Sequence, residues 1–311
     1  MTTDSNNPTV RYLDVDADST GQRLDNWLLR HLKGVPKSHL YRVIRKGEVR
    51  INKKRVGPDT RVTAGDVVRI PPIRAAEEKP FTLSERNHSL MDNILFEDAS
   101  IIILNKPAGL PVHGGEGFRG GVIEVMRLLK PEHPHLELAH RLDKLTSGCL
   151  CLAKKRSVLR QIQADWHEAH KVEKIYQALV TGYWNPPKRV SLAIARSAEG
   201  QQGPHARIDP EGKEAVTHFS VLGHYKDATW VEARLETGRT HQIRLHAAHF
   251  GHPILGDERY GDHALNRSVA KLGLKHMALH ASSLKLAGYP EFKAPIPDDW
   301  YTYLKQADTD A

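Results

Sequence analysis

The residues best suited to chemistry lie in one short polar segment, His140–Gly148. It contains a single carboxylate, Asp143, flanked on one side by Arg141 and on the other by Lys144. A carboxylate can act as a nucleophile or as a base. The same residue types are also common in capped turns. Composition alone therefore leaves a catalytic loop and a structural turn equally open.

Other kinds of chemistry find less support in the sequence. Among the nineteen histidines, those in 167–170 (His-Glu-Ala-His) fall one residue short of the zinc-protease spacing, and no third ligand is marked. The glycine-bearing loops at 112–117 and 237–240 match neither a Walker loop nor a dinucleotide fingerprint, and no Gly-x-Ser-x-Gly elbow occurs. We therefore expect no metal and no cofactor.

The polar segment is followed directly by a strand-like run, 149–153, within a pattern that mixes strands and helices. Further strands are predicted at 101–104, 175–180, 216–222 and 230–235. Helices are predicted at 122–129, at 158–169 behind a capping Ser157, and at 241–250. Hairpin-like neighbours in this pattern predict an α+β fold with a domain over about 91–300, preceded by a linker at 76–90.

The N-terminal region, 20–75, is a separate basic module. It contains fourteen Lys or Arg against four Asp or Glu, a local charge of +10, whereas the whole chain has +8. Two amphipathic helices are predicted here, the second capped by Ser38 and ended by Gly47, followed by small strands. A solvated basic surface is the common meaning of such a cluster, but its density and an interleaved tyrosine favour RNA. The candidate RNA-binding residues are Lys37, Tyr41, Arg42, Arg45, Lys46, Lys53, Lys54 and Arg55.

The N-terminus and the longest apolar runs of the sequence bear on where in the cell the protein is found. The first eight residues have neither part of a signal peptide, and no apolar run reaches the ~18 residues that a membrane helix needs. The two cysteines, Cys149 and Cys151, share one strand face and are expected to be reduced. We expect a cytoplasmic protein with no membrane partner.

Three stretches, in order, resemble a known enzyme family. Residues 140–148 resemble the His-Arg-Leu-Asp-x-x-Thr-Ser-Gly signature of the RluA family of pseudouridine synthases, 174–176 its Lys-x-Tyr strand, and 238–246 its Gly-Arg-Thr-His-Gln-x-Arg-x-His motif. The similarity extends through 104–109, 251–257 and 279–281. The N-terminal module resembles the RNA-binding domain named after ribosomal small-subunit protein four. Lys144 and Leu145 differ from the Arg-Asp often found inside the signature.

The resemblance implies a role for each of five residues. Asp143 would be the indispensable catalytic carboxylate, and Arg244 would hold it. Tyr176 would stack on a uridine flipped out of the RNA, and its hydroxyl could help to remove the C5 proton. Arg141 would fill the gap left by the flipped base, and His140 would contact RNA beside it. The family's fold implies a mixed, largely antiparallel sheet with flanking helices, and its reaction needs no cofactor.

The resemblance also implies a partner, 23S ribosomal RNA of the large subunit, and a monomeric enzyme. A synthase acting on transfer RNA stays open, as does a non-catalytic RNA-binding factor in ribosome assembly. A glycosidase with paired carboxylates is a further alternative, although neither Glu137 nor Asp165 is marked as the partner acid.

Overall fold

The computed structural model describes residues 9–32, 34–73, 89–114, 120–166, 168, 171–196 and 206–309. The chain divides into two compact units, Met1–Thr82 and Leu83–Ala311, each of which is described by itself. The predicted linker, 76–90, lies outside the described residues except for its last two. The predicted domain boundaries stay a prediction.

The N-terminal unit packs two helices on a small antiparallel sheet. Its elements are β1 (Arg11–Asp14), α1 (Leu24–His31), α2 (Lys37–Arg45), β2 (Arg50–Ile51), β3 (Lys54–Arg55) and β4 (Val67–Ile70). The strands pair in the order β1-β4-β2-β3. Leu24, Trp27 and Leu28 recur at helical spacing and are fully buried, because they form the core with Leu40 and Ile44 of the second helix.

The predicted end of α2 is confirmed, whereas its predicted start is wrong. Gly47 follows the helix at φ +74°, the left-handed conformation that stops a helix without steric cost. Ser38 does not cap the helix, because it already lies inside α2, which begins at Lys37 behind Pro36, and no side chain caps it. Proline fixes its own φ and so defines this start without a capping hydroxyl.

The C-terminal unit contains strands β5 to β16 and helices α3 to α7. The strands are β5 (Ile94–Glu97), β6 (Ile101–Lys106), β7 (Glu137–Leu138), β8 (Ser147–Ala153), β9 (Val172–Thr181), β10 (Arg189–Ser191), β11 (Ile194–Arg196), β12 (Ala206–Ile208), β13 (Val216–Tyr225), β14 (Ala228–Leu235), β15 (Leu279–Leu286) and β16 (Glu291–Lys293). The helices are α3 (Val122–Leu129), α4 (Arg156–Asp165), α5 (Gln242–His249), α6 (His263–Lys271) and α7 (Asp298–Thr309).

Ten of these strands form one mixed sheet. Its main path runs β10-β13-β14-β9-β15-β8-β6-β5, with β16 beside β15 and β7 beside β8. The β15–β8 pair is parallel and the other pairs are antiparallel. The predicted strands are confirmed as parts of β6, β8, β9, β13 and β14. The α+β class with a largely antiparallel sheet is therefore confirmed.

Helices pack on the sheet through buried apolar side chains from strands and helices far apart in sequence. Val180 and Val231 of the sheet share one core cluster with Trp300 of α7 and Ile243 of α5. Ser157 does not cap α4, because this helix begins at Arg156 and its N-cap, Lys155, makes no side-chain bond. Helices α6 and α7 were not predicted.

Candidate active site

Asp143 lies in the tight connection that leads into β8. The amide of Thr146 donates to the Asp143 carbonyl at 3.1 Å, which closes a turn around the carboxylate. Gly148 follows at φ +104°, and a Cβ placed there would lie 2.3 Å from the carbonyl oxygen of Ala281. Because only glycine allows β15 to approach so closely, this residue sets where the Asp143 turn meets the sheet.

A buried lysine, Lys106, binds the backbone of the same turn. Lys106, at the end of β6, is fully buried, and its Nζ donates to the carbonyls of Pro107, Leu110 and Lys144 at 2.8, 2.8 and 3.2 Å. Burial lowers the pKa of this ammonium to about 7, against the opposing attraction of Asp143. Three donors therefore meet three acceptors, and one of these is the residue next to Asp143.

Arg244, in the first turns of α5, contacts two carboxylates. Its Nε and Nη2 donate to Asp257 at 2.7 and 2.8 Å, while its Nη1 lies 3.4 Å from Oδ2 of Asp143. Burial alone would raise the pKa of Asp257, but the hydrogen bonds and charge of Arg244 outweigh it and hold that pKa below its usual range. The structure thus brings Arg244 to Asp143, as predicted, but gives its paired hydrogen bonds to a residue that was not predicted.

His241 is a second neighbour of Asp143 that the sequence did not mark. It adopts the left-handed conformation, φ +56°, immediately before α5. Its Nδ1 lies 2.8 Å from the Tyr260 hydroxyl, and its Nε2 lies 3.6 Å from Oδ2 of Asp143. Burial is the main cause that lowers the pKa of His241 to about 4, so the imidazole is neutral at pH 7.

Tyr176 and Asp143 line one cavity of about 120 Å³. Its other walls are part polar, with Arg244 and His241, and part apolar, with Leu235. Burial first, and then the negative charge of Asp143, raise the pKa of Tyr176, so its hydroxyl is protonated at neutral pH. A planar ring and a carboxylate that line one partly apolar cavity suit a nucleobase attached to a sugar.

A wider cleft of about 970 Å³ shares Arg141, Asp143, His241 and Arg244 with this cavity. The predicted Arg141 is exposed at its edge, which suits a contact with RNA. The predicted His140 is placed differently. Its Nε2 accepts the amide of Cys151 at 3.0 Å, and its ring stacks on Trp166, so this nitrogen serves β8.

Some of the predicted RNA-binding residues of the basic module also make hydrogen bonds within the module. The Tyr41 hydroxyl donates to the buried Asp25 at 2.7 Å, and Arg55 donates to the Arg45 carbonyl at 2.6 Å. The cationic side chains all lie at the exposed surface: Lys37, Arg42, Arg45, Lys46, Lys53, Lys54 and Arg55. The surface therefore offers seven cations, one of which also closes the end of α2.

The carboxylates weighed for a glycosidase lie elsewhere. Glu137 pairs with Arg127 at 2.6 Å and Asp165 with Lys171 at 3.1 Å, and neither lines the Asp143 cavity. Within the described ranges, no group of three or more His, Cys, Asp or Glu side chains is placed to hold a metal ion. No helix among the same residues is long and apolar enough to cross a membrane.

Gln242 shows why the motif around Arg244 is so polar. Its amide nitrogen donates to Val216 and Thr217 on β13, both at 2.9 Å, and its oxygen accepts from Thr237 and Arg239. This buried residue therefore fixes the loop that carries His241. Asp257 and Gln242 both fall inside the family-like stretches, which was the signal that could have singled them out.

Comparison with known proteins identifies the family of this chain. The profile of the RNA pseudouridylate synthase family matches residues 100–249, and that of the S4 domain matches residues 22–68. A ribosomal large subunit pseudouridine synthase C from Haemophilus influenzae is 47% identical over 283 residues, covering 90% of this chain and 88% of the relative. The protein of the same name from Escherichia coli is 47% identical, covering 89% of both.

A solved structure shows the same fold. Human RNA pseudouridylate synthase domain containing 4 aligns with a TM-score of 0.58 and 28% identity, over 71% of this chain and 95% of that one. The chain belongs to the RNA pseudouridylate synthase family. It is an RNA pseudouridine synthase with an S4 domain at its N-terminus, which confirms the resemblance seen in its motifs.

Proposed function

We propose that this enzyme converts uridines of 23S ribosomal RNA to pseudouridine, with Asp143 as the catalytic carboxylate. One observation carries the assignment of the site: Asp143, 23% exposed, lines a cavity together with Tyr176, and Arg244 and His241 lie 3.4 and 3.6 Å from its Oδ2. The choice of RNA is supported by the relatives named ribosomal large subunit pseudouridine synthase C. We further propose that the enzyme is cytoplasmic and acts as a monomer.

The reaction breaks the bond between C1′ of the ribose and N1 of uracil, turns the base and joins C1′ to C5. The proton on C5 is released, and N1 gains one, so that no atoms or electrons are left over. Asp143 supplies the nucleophile toward C1′ or the base that first removes a C2′ proton. Arg244 stabilises the negative charge of this carboxylate in either case.

The uridine must leave its stack to reach the cavity, and Tyr176 receives it. Stacking on an aromatic ring contributes about 1–3 kcal/mol per base, which offsets part of the cost of flipping. Arg141 lies at the edge of the wide cleft, where it can fill the space that the base leaves. The S4 module adds phosphate contacts through its exposed lysines and arginines.

The test is release of tritium from C5-labelled uridine in 23S ribosomal RNA. Wild-type enzyme is expected to release label, and Asp143→Asn to release none while binding the RNA as tightly. Transfer RNA labelled in the same way is the substrate control. Equal release by Asp143→Asn would refute the catalytic role, and release from transfer RNA alone would refute the choice of substrate.

A further inference from the structure

Arg244 is held more tightly by Asp257 than by the carboxylate it is expected to serve. Its two hydrogen bonds to Asp257 measure 2.7 and 2.8 Å, whereas Nη1 reaches Asp143 at 3.4 Å. The Asp257 side chain is 0% exposed and that of Arg244 is 6% exposed. Two guanidinium nitrogens of Arg244 are therefore taken up by the buried ion pair with Asp257. The third, Nη1, is the one nearest Asp143, which lines the cavity.

Asp257 is itself fixed by the backbone around it. Its Oδ1 also accepts the amides of Arg259 and Tyr260 at 2.9 and 3.2 Å. Gly256, at φ +77°, precedes it, and a Cβ there would lie 2.9 Å from the His276 carbonyl oxygen. Because the Asp257 carboxylate also binds backbone amides and follows a closely packed glycine, it cannot move freely with the Arg244 side chain.

The way Arg244 meets Asp143 matters for the reaction. An unrestrained guanidinium pairs with a carboxylate through two parallel hydrogen bonds and occupies both oxygens. Here Oδ2 is the Asp143 atom nearest to both Arg244 and His241, and neither residue donates a hydrogen bond to Oδ1. A nucleophile or base needs one such oxygen for the sugar.

We propose that Asp257 is a positioning residue of this synthase: it binds two nitrogens of Arg244 and thereby limits the arginine to one contact with Asp143. The inference rests on the proposed role of Asp143. A purely structural ion pair would stabilise the fold equally well but would leave the reaction unaffected once the protein is folded. Rate and binding must therefore be measured separately from stability.

The kinetic experiment compares Asp257→Asn with Asp165→Asn in the full-length enzyme. Asp165 is a matched control, because it is also a shielded carboxylate in an ion pair, with Lys171, and it lies outside the cavity. Single-turnover tritium release should fall about 100-fold in Asp257→Asn, the usual cost of misplacing a reacting group. Affinity for the RNA should stay unchanged, and Asp165→Asn should react like wild type at matched thermal stability. Asp257→Glu, which keeps the charge but displaces it by one methylene, replaces Asp257→Asn if that variant does not fold.

The hydrogen bond between Arg244 and Asp257 can also be followed by NMR, independently of enzyme activity. In protein labelled with ¹⁵N-arginine, the Nε–H of Arg244 should exchange slowly with water, and Arg244→Lys identifies its signal. The signal should persist in Asp143→Asn and be lost in Asp257→Asn. An unchanged signal together with an unchanged rate in Asp257→Asn would overturn the proposal. Absence of tritium release by the wild type would instead refute the proposed function, and loss or persistence of the Nε–H signal in Asp257→Asn would still show whether Asp257 holds Arg244 in place.

Discussion

The buried ammonium of Lys106 should make the free energy of unfolding of the C-terminal unit, Leu83–Ala311, depend on pH above neutrality. Burial lowers its pKa to about 7 in the folded protein, whereas an unperturbed lysine has 10.5. Between these values the unfolded chain binds a proton that the folded chain does not. Stability therefore rises with pH across this window, and as far as this group is concerned it is lowest below pH 7, where both the folded and the unfolded chain bind the proton.

The magnitude follows from the same two pKa values. In the middle of the window, one proton of difference gives a slope of about 1.4 kcal/mol per pH unit. Since Lys106 is still half protonated in the folded state at pH 7, the gain from pH 7 to pH 9 is about 2 kcal/mol. Lys106→Met keeps a chain of similar length without the titrating group, so its stability should lack this gain.

The measurement is urea unfolding of wild type and Lys106→Met at pH 7, 8 and 9, followed by tryptophan fluorescence. Four of the five tryptophans lie in the unit Leu83–Ala311, so the signal reports mainly on that unit. Groups other than Lys106 titrate in both proteins and cancel in the difference. Parallel curves for the two proteins would refute the reasoning, because they would show that Lys106 keeps its proton throughout.

Three further predictions concern the base, the turn and the RNA. Tyr176→Ala should weaken RNA binding by about 1–3 kcal/mol through lost stacking, whereas Tyr176→Phe should bind normally and release tritium at close to the wild-type rate, because a hydroxyl whose pKa is raised is a poor base; release slower by about 100-fold in Tyr176→Phe would instead assign the hydroxyl a part in proton transfer. Gly148→Ala should lower the melting temperature and the activity, because its Cβ would meet a β15 carbonyl at 2.3 Å, while Gly251→Ala, with the same sign of φ and open space, serves as the control for φ strain alone. Replacing Lys53 and Lys54 by Gln should reduce the slope of log affinity against log salt by about 0.7–0.9 per lost phosphate contact; an unchanged slope in a binding titration would argue against these contacts.

Local patterns in the sequence predicted the central strands well. The run Ile101–Leu104 is apolar at every position, and each of these residues is buried in β6, as expected for a strand covered on both faces. The predicted helix starts at Ser38 and Ser157 were wrong, because the residues that precede these helices are Pro36 and Lys155, neither of which makes a capping side-chain bond. Serine marks a frequent start, but tertiary packing selects the actual one.

The order of the strands could not be predicted from such patterns. β15 lies between β8 and β9, although more than a hundred residues separate it from β8, and it pairs with β8 in parallel. This pairing brings Ala281 against Gly148 and so shapes the Asp143 turn. Alternation within a strand shows which face is buried but carries no information about the neighbouring strand. The glycine therefore looked like a turn residue, although the approach of a distant backbone is what requires it.

The motif around Arg244 likewise contains an arginine whose partner in the structure could not be read from the sequence. The family resemblance implies an ion pair between Arg244 and Asp143, yet the shorter hydrogen bonds of Arg244 are to Asp257, thirteen residues further along the chain. His241 and Arg244 of this motif lie 3.6 and 3.4 Å from Asp143, while Gln242 holds the loop to β13. A reaction carried by one carboxylate depends on placing that group and leaving an oxygen available. Gln242 therefore supports the loop that carries His241, whereas the ion pair that occupies two nitrogens of Arg244 comes from Asp257, outside the motif.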